Sequence, residues 1–343
     1  MAASAQSRLR LTRRQILAFR RRVGALDERL PKGAQSLRRA AWAGLQDSMP
    51  RAAVLSLHAR VEGVEPSTWE HPSLAQLWGP RYTVYVVAKR DFALFSVGRF
   101  PDDAKGRLRA EQMAARLRVG LDGARMTDRE ARRLLRLDNS MRYGATTGTI
   151  AIRWEGARAP VIWTVAAPEI DSADACRGLA RRYLHVFGPA RPESFARWAG
   201  ISRRSAGVAF ASLEESLLPV RSPLGDEWLL AEDEPTIRAA ETTGGPARLL
   251  PSGDAYFLLD GAERSLLVPR EDRRLLLWTP RVWPGALLVG GEVRGTWRRA
   301  QHVVRIESWG RLPRGTREAV DAEAATLPLP GLERPIEVVW SSV

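Results

Sequence analysis

The clearest helical periodicity in this chain lies just past its midpoint. Leu179, Tyr183 and Val186 recur at spacings of four and three residues, which places them on one face of an α-helix. Asp171 precedes this pattern in the position of an N-cap, whose side chain accepts hydrogen bonds from the first free backbone N–H groups. Gly188-Pro189 follows it and predicts the end of the helix. The segment therefore begins with a helix that has one buried face.

Two further short helices and a hairpin are predicted directly after this helix. Pro192 and Gly200 have the positions that proline and glycine prefer at the start of a helix and just after its end. Ser202 is the predicted N-cap of the next helix. The apolar face of that helix comprises Ala206, Phe210, Leu213 and Leu217. Residues 217–230 then contain two apolar runs around a Pro-Leu-Gly-Asp turn, a pattern typical of a β-hairpin.

Three short helices followed by a hairpin form a winged helix, a fold that binds duplex DNA. Its last helix commonly enters the major groove and contacts base edges through its N-terminal residues. Arg203 and Arg204 have that position, just after Ser202. They are candidates for contacts with phosphates or guanine edges, and the alternative is a solvated helix start.

The same plan recurs earlier in the chain. A helix with one apolar face is predicted over 16–23, and a second helix over 36–45. Pro50 marks the start of a third helix, and the apolar run at 82–87 predicts a strand. A first winged-helix unit is therefore expected in this part of the chain.

The middle of the chain repeats the plan less regularly. A helix is predicted near 104–119, and Thr127 with Glu130 has the pattern of a capping box for another. Residues 150–154 and 161–165 alternate between apolar and polar side chains, which predicts a hairpin with one buried face. The residues expected on that face are Ile150, Ile152, Trp154, Val161, Trp163 and Val165.

After about residue 235 the sequence becomes mainly β. Gly290-Gly291 predicts a two-residue hairpin turn, and strands are expected at 303–307 and near 336–340, with a helix near 317–325 between them. The predicted fold class is α+β, with tandem winged-helix units followed by a C-terminal β-rich domain. The expected units are residues 8–100, 101–168, 169–235 and 236–343.

Positive charge is concentrated at the start of the chain. The formal net charge is +14, and residues 1–60 carry twelve arginines and one lysine against three acidic residues, a net charge of +10. A clustered excess of this size attracts polyanions, because each neutralised phosphate releases counterions. Nucleic acid is the first candidate partner and an acidic membrane surface is the second. The remaining alternative is a basic surface without a partner.

The residues that would indicate metal, disulfide or membrane chemistry are sparse. Cys176 is the single cysteine, which excludes a disulfide within the chain and a cysteine-based metal site. The histidines are too far apart in sequence to form a ligand pair at helical spacing; they are His58, His71, His185 and His302. No apolar run approaches the ~18 residues of a membrane span, and the N-terminus lacks the apolar core of a secretory signal. We therefore expect a soluble, cytoplasmic, nucleoid-associated protein that uses no metal or cofactor.

Five stretches of the chain have a recognisable composition and order. The longest is ARRYLHVFGPARPESFARWAGIS at 180–202. The others are AGLQDSMPRAAVLSLHARV (Ala43–Val61), LAQLWGPR (Leu74–Arg81), LLPSGDAYFL (Leu249–Leu258) and GTWRR (Gly295–Arg299). Together the five stretches resemble the AlkZ-like family of DNA glycosylases across nearly the whole chain. The resemblance implies tandem winged helices that form a concave surface for duplex DNA. It also implies DNA repair by excision of alkylated bases, including those in interstrand crosslinks.

The resemblance further implies a catalytic motif. In the family a glutamine, any residue, and then a glutamine or an aspartate stand at the end of an early helix. The matching stretch here is Gln46-Asp47-Ser48, with Ser48 at the second catalytic position. A glutamine carbonyl can hold the attacking water, but serine carries no charge and reaches less far. Asp47 is a candidate to compensate if the local backbone rotates. The alternative is that Gln46 is only a polar residue at a helix end.

Three functions therefore stay open, and the third, a winged-helix fold used for protein contacts, is made less attractive by the net charge of +10 on residues 1–60. The first is a monofunctional DNA glycosylase, a hydrolase of N-glycosidic bonds. The second is a non-catalytic DNA-binding or regulatory protein that has lost this chemistry, which Ser48 favours. Several winged helices in one chain would let a monomer grip double-stranded DNA without two-fold symmetry. The arginines expected to contact DNA are Arg38, Arg39, Arg51, Arg203 and Arg204.

Overall fold

A computed structural model gives the architecture of residues 8–47, 49, 51–156, 158–240, 244–332 and 334–342. Ser48 of the predicted catalytic motif and Pro50 of the predicted helix start lie outside the described residues. The helices are α1 (Arg13–Val23), α2 (Ala34–Ala40), α3 (Ala52–His58), α4 (Phe92–Ser96), α5 (Ala104–Leu121), α6 (Asp128–Leu134), α7 (Ser172–Phe187), α8 (Pro192–Ala199), α9 (Arg203–Ala211), α10 (Glu234–Arg238), α11 (Ala262–Leu267), α12 (Glu271–Leu277) and α13 (Arg314–Ala325). The strands are β1 (Leu9–Arg10), β2 (Leu45–Gln46), β3 (Leu74–Trp78), β4 (Val84–Ala88), β5 (Met126–Thr127), β6 (Ile150–Arg153), β7 (Val161–Thr164), β8 (Leu217–Ser222), β9 (Gly225–Leu230), β10 (Arg248–Leu250), β11 (Gly285–Val289), β12 (Glu292–Ala300), β13 (Val303–Ser308) and β14 (Glu337–Ser342).

The strands of the described residues form several small sheets between the helices. Their orders are β2-β4-β3, β5-β7-β6, β1-β8-β9 and β10-β11-β12-β13-β14. The protein is therefore a mixed α+β protein, as predicted. No helix in the described part of the chain is long and apolar enough to cross a membrane.

The strongest local predictions concern α7, α8 and α9, and the structure confirms that these helices form. The predicted extent of α9 is wrong, because the helix ends at Ala211 and Leu217 begins strand β8. Asp171 caps α7 by accepting a hydrogen bond from the backbone N–H of Ala173 at 2.7 Å. Gly200 has a φ of +71°, the left-handed conformation that commonly ends a helix. Ser202 accepts from the N–H of Ser205 at 2.9 Å at the start of α9. The strands β8 and β9 then pair antiparallel around a two-residue turn.

The first strand and helix of the described chain pack onto this same group of helices. β1 pairs in parallel with β8, with Leu9 opposite Val220. The apolar face of α1, which includes Ile16 and Phe19, packs in one cluster with Leu229 of β9. Local periodicity predicts the helix but not these partners, because they lie far away in the sequence.

The prediction of one continuous helix over 36–45 is wrong. Gly44 lies between α2 and β2 with a φ of +71°, and a Cβ there would come within 2.9 Å of the Tyr85 ring. The chain turns at this glycine and continues as a strand, with Gln46 opposite Tyr85 in β4. Gln46 consequently lies in a strand and not at the end of a helix.

In the middle of the chain the predicted capping box is confirmed. The predicted hairpin also forms, but the buried face of β7 was predicted one residue out of register. The backbone N–H of Thr127 donates to the Glu130 carboxylate at 2.8 Å, as expected of a capping box. The hairpin of β6 and β7 forms with Ile152 opposite Ile162, and both side chains are buried. Trp163 therefore lies on the other face of β7 and is only half-buried. The register that places Ile152 opposite Ile162 therefore determines which face of the β6–β7 hairpin is buried.

The turn predicted at Gly290-Gly291 joins β11 to β12, as expected. Trp297 of β12 lies in the core of the five-stranded sheet, where its Nε1–H donates to the Leu250 carbonyl at 2.8 Å. Gly285 of β11 lies opposite Trp297, and a Cβ there would come within 2.2 Å of the indole nitrogen. The tryptophan is a core residue whose place depends on this glycine.

The substitution Gly285→Ala should lower the free energy of unfolding by about 1–3 kcal/mol, because the indole and the strand must shift to admit a methyl group. Urea denaturation measures this change. Gly207→Ala in α9 is the matched control, since a Cβ there meets nothing within 4 Å. The control should raise stability by about 0.5–1 kcal/mol, as alanine does in a helix. Equal stability of the two variants would contradict the packing described here.

Candidate functional site

Gln46 is held from two sides in a small site that separate segments build. Its carbonyl oxygen Oε1 accepts a hydrogen bond from Nη2 of Arg81 at 3.2 Å. Its amide lies against Gly253, where a Cβ would come within 3.2 Å of Nε2. Gly253 has a φ of +76°, a conformation that glycine adopts without steric cost. The glutamine side chain is half-buried between these two neighbours.

Arg81 reaches Gln46 from the tight turn between β3 and β4. Arg81 and Tyr82 both have positive φ angles, 55° and 58°. For residues other than glycine this conformation costs on the order of 1–3 kcal/mol each, and it persists where surrounding packing determines it. Gly200 supplies part of that packing, since a Cβ there would lie 3.2 Å from the Arg81 backbone nitrogen. The strained turn therefore presents Arg81 to the glutamine.

The loop that carries Gly253 is fixed by a buried ionic network at Asp254. The Asp254 carboxylate accepts two hydrogen bonds from the Arg60 guanidinium, both at 2.7 Å, and one from the Ser56 hydroxyl at 2.7 Å. It also accepts from the backbone N–H of Tyr256 at 2.9 Å. Buried charges are tolerated when their hydrogen-bonding capacity is used in this way. The network thus joins α3 to the loop behind Gln46.

Four of the five stretches that carry the family resemblance meet around Gln46. These are Ala43–Val61 with Gln46 itself, Leu74–Arg81 with Arg81, Leu249–Leu258 with Gly253, and 180–202 with Gly200. They are far apart in sequence, and the fold brings them to one place. This convergence makes Gln46 the best candidate for the centre of an active site.

Asp47 faces away from this site, because successive side chains of an extended chain point in opposite directions. Its carboxylate is fully buried and accepts a hydrogen bond from the backbone N–H of Ala53 at 3.0 Å. Its other oxygen lies 3.4 Å from Nε2 of Gln76 and 3.6 Å from Nη1 of Arg51. Asp47 holds the start of α3. The hypothesis that it compensates for Ser48 in catalysis is not favoured by this arrangement.

Burial is the largest influence on the Asp47 carboxyl group, and it raises the pKa of that group to about 6. The N–H of Ala53 and the positive charge of Arg51 favour the ionised form and oppose this shift. The group therefore ionises in the folded protein only near neutral pH.

Arg51 lies inside the protein, in contrast to the prediction that it contacts DNA. Its side chain is 9% exposed, and it donates to the Trp154 carbonyl at 2.6 Å. Its guanidinium also stacks on the Trp69 ring at 3.9 Å from the ring centre. A guanidinium with these partners has little surface left for a phosphate. The cause is its place at the start of α3, beside the buried Asp47.

The other predicted arginines lie on or near the surface. Arg39, Arg203 and Arg204 are exposed, and Arg38 is half-buried. Arg203 and Arg204 are the first two residues of α9. Arg39 lines a concavity of about 720 Å³, whose charged lining residues also include Arg21, Arg22, Asp27, Glu28 and Arg29. The structure does not bring these arginines into direct contact with Gln46.

Arg81 is the functional candidate that prediction from residues alone misses. Gly79-Pro80 after an apolar run does indicate a turn at this point, but it does not say which side chain the turn aims at Gln46. In the described part of the chain, no cluster of histidine, cysteine, aspartate and glutamate has the arrangement of a metal site.

The raised pKa of Asp47 predicts a pH-dependent stability. The folded protein favours the protonated carboxyl, so this contribution is fully present below about pH 4 and is lost as pH rises past 6. In Asp47→Asn the contribution is absent at every pH. The wild type should therefore lose up to about 3 kcal/mol of unfolding free energy relative to the variant between pH 4 and pH 7. Urea denaturation across this range measures the difference.

Asp174→Asn is the control for this experiment, since Asp174 is an exposed carboxylate with 57% of its side chain accessible. Its stability difference from the wild type should stay nearly constant over the same range, because exposed ion pairs contribute little. A constant difference for Asp47→Asn as well would refute the assignment of a buried, protonated carboxyl group.

Comparisons with known proteins agree with this geometry. The family model described as DNA glycosylase AlkZ-like matches residues 37–328. The solved structure of the Streptomyces sahachiroi DNA glycosylase AlkZ is similar with a TM-score of 0.79 at 18% sequence identity, and the match covers 97% of this chain and 100% of that one. This likeness shows a shared fold. No curated protein sequence matches the chain. Because the family model spans most of the chain and includes every residue described around Gln46, the protein belongs to the AlkZ-like DNA glycosylase family.

Proposed function

We propose that this protein is a DNA glycosylase that hydrolyses the N-glycosidic bond of alkylated purines in double-stranded DNA. The observation that supports this most is the convergence of four family stretches on Gln46, with Arg81 holding its amide. Family membership supplies the reaction class. The candidate substrates are N7-alkylated purines, alone or within an interstrand crosslink.

The chemistry of this substrate explains why a glutamine suffices as a polar centre. An N7-alkylated guanine is cationic, so it leaves as a neutral base when the bond between C1′ and N9 breaks. The oxygen of a water molecule then bonds to C1′ of the oxocarbenium-like sugar, and a proton passes to solvent. Oε1 of Gln46 has two acceptor lone pairs. This oxygen accepts from Arg81, and we assign to it the binding of the attacking water as well.

The inward direction of Asp47 limits how much the site can stabilise the positive sugar. Its carboxylate is occupied by Ala53 and Arg51, so it supplies no charge on the Gln46 side. The loss of one electrostatic contact typically costs about 10²–10³ in rate. We therefore expect slow base release. The same observation favours a second candidate function, a DNA-binding or regulatory relative without catalysis.

We also propose how the protein grips DNA. The succession of α7, α8, α9, β8 and β9 fits a winged helix, with Arg203 and Arg204 entering the major groove at the start of α9. Arg38 and Arg39 contribute a second contact beside the arginine-lined concavity. The proposed units remain 8–100, 101–168, 169–235 and 236–343, which act together in a monomer. Arg51 is left out of this surface because it is buried.

The first experiment measures release of N7-methylguanine from a duplex that contains it, under single-turnover conditions. Gln46→Ala should lower the rate of base release by at least about 10²-fold, because the water loses its acceptor. Gln112→Ala is the matched control, since Gln112 is an exposed glutamine in α5. The control should leave the rate unchanged.

The outcomes distinguish the two candidate functions. Release that Gln46→Ala abolishes supports the glycosylase. Wild-type protein that binds the duplex in a salt-sensitive manner but releases no base supports the non-catalytic relative. Release that is equal in wild type and Gln46→Ala would remove Gln46 from the proposed mechanism.

Charge reversal tests the second DNA contact. The double substitution of Arg38 and Arg39 to glutamate should weaken duplex binding and flatten its dependence on salt, because fewer counterions are released. Fluorescence anisotropy at several salt concentrations measures the slope. Arg314→Glu on α13 is the control, since its side chain is 93% exposed and pairs only locally with Glu318. An unchanged slope for the double variant would exclude this surface from DNA binding.

A further inference from the structure

Arg81 carries a positive charge that the described protein does not neutralise. One N–H of its guanidinium is used on Gln46, the buried Tyr85 hydroxyl lies within hydrogen-bonding reach of the guanidinium, and the residue as a whole is exposed. The nearby Arg197 pairs with Asp260 at 3.6 Å, whereas no described carboxylate forms an ion pair with Arg81. A guanidinium has five N–H donors in a fixed plane, so most of its donors remain for a ligand.

A second arginine adds to the positive charge at this place. Arg264 is half-buried, and burial lowers its pKa; the negative charge of Asp260 opposes this shift, and the positive charge of Arg81 adds to it by a smaller amount. Two guanidinium groups that repel each other favour the binding of an anion between or beside them. The mouth of the Gln46 site is therefore suited to a phosphate.

The conformation of Arg81 shows that it is placed at a cost to the fold. The residue is exposed, so its side chain adds little buried surface, and its positive φ is unfavourable for a side chain of this size. Asparagine adopts this conformation more readily than arginine. An asparagine would therefore satisfy the turn at least as well, so the backbone conformation of the turn gives no reason for an arginine here.

From these observations we infer that Arg81 is a positioning residue, which binds a backbone phosphate of the damaged DNA strand while it holds the Gln46 amide. This inference rests on the proposed function and adds a residue to it. One edge of the guanidinium donates to Oε1 of Gln46, and the other edge donates to phosphate oxygens. Binding of the strand then immobilises Arg81, and Arg81 fixes the direction in which the Gln46 amide faces the sugar. The Arg81 side chain thereby contributes both to DNA binding and to the orientation of the catalytic glutamine.

The test combines two substitutions with two measurements on the N7-methylguanine duplex. Arg81→Asn removes the charge and suits the turn. It should reduce the slope of log K against log salt by about 0.9, the value for one phosphate. It should also slow single-turnover base release by about 10²-fold, without lowering the thermal midpoint. Arg81→Lys keeps the charge but lacks the planar fork. It should retain the salt slope and still slow release.

The controls and outcomes separate this inference from the proposed function. Arg314→Asn removes another exposed arginine, from α13, and should change neither the rate nor the slope. An unchanged salt slope in Arg81→Asn would overturn the phosphate contact, and an unchanged release rate would overturn the positioning of Gln46. A thermal midpoint that falls in Arg81→Asn would assign the residue to the fold instead. If the wild type releases no base, the proposed glycosylase fails, and the salt slopes still decide the contact.

Discussion

The geometry of the site depends on the buried pair of Arg60 and Asp254. Both side chains are almost completely inaccessible, and the carboxylate has every expected partner. A buried pair of this kind is costly to break, because either partner alone would leave an uncompensated charge. Arg60 follows α3, which begins just after Gln46, and Asp254 ends the loop that packs on the Gln46 amide. The pair therefore sets the distance between the glutamine and the glycine behind it.

Two neighbouring residues of one segment serve two different purposes. Gln46 faces the site, and Asp47 faces the protein interior, where it begins α3. This division follows from extended backbone geometry, which sends consecutive side chains to opposite sides. If α2 had continued as a helix, the side chains of Gln46 and Asp47 would have been oriented differently. The glycine turn at Gly44 thus decides which of the two polar groups faces the candidate site.

Predictions from sequence succeeded where the information was local. Caps such as Asp171 and Thr127 act on backbone groups two or three residues away, and both were identified from the sequence. The two-residue strand that contains Gln46 was missed, because it is too short to have a period of its own. Arg51 and Arg81 show that prediction from sequence is limited in the same way for the residues of the candidate site. Both are arginines near turns, and only tertiary contacts separate the buried one from the exposed one.

The parallel pairing of β1 with β8 has a consequence for how the chain folds during synthesis. The apolar face of α1 can be covered only after β8 and β9 have left the ribosome, since these elements complete its cluster. Until then the apolar face of α1 lacks the strands against which it packs in the folded protein. The arginines of α1 favour its solvation in that interval, since each carries a charge that water can reach before the helix is covered. In the finished protein two of these arginines are buried, where Arg20 donates to the Gly188 carbonyl and Arg21 pairs with Asp27, so charges that water solvates in the nascent helix become internal contacts of the fold.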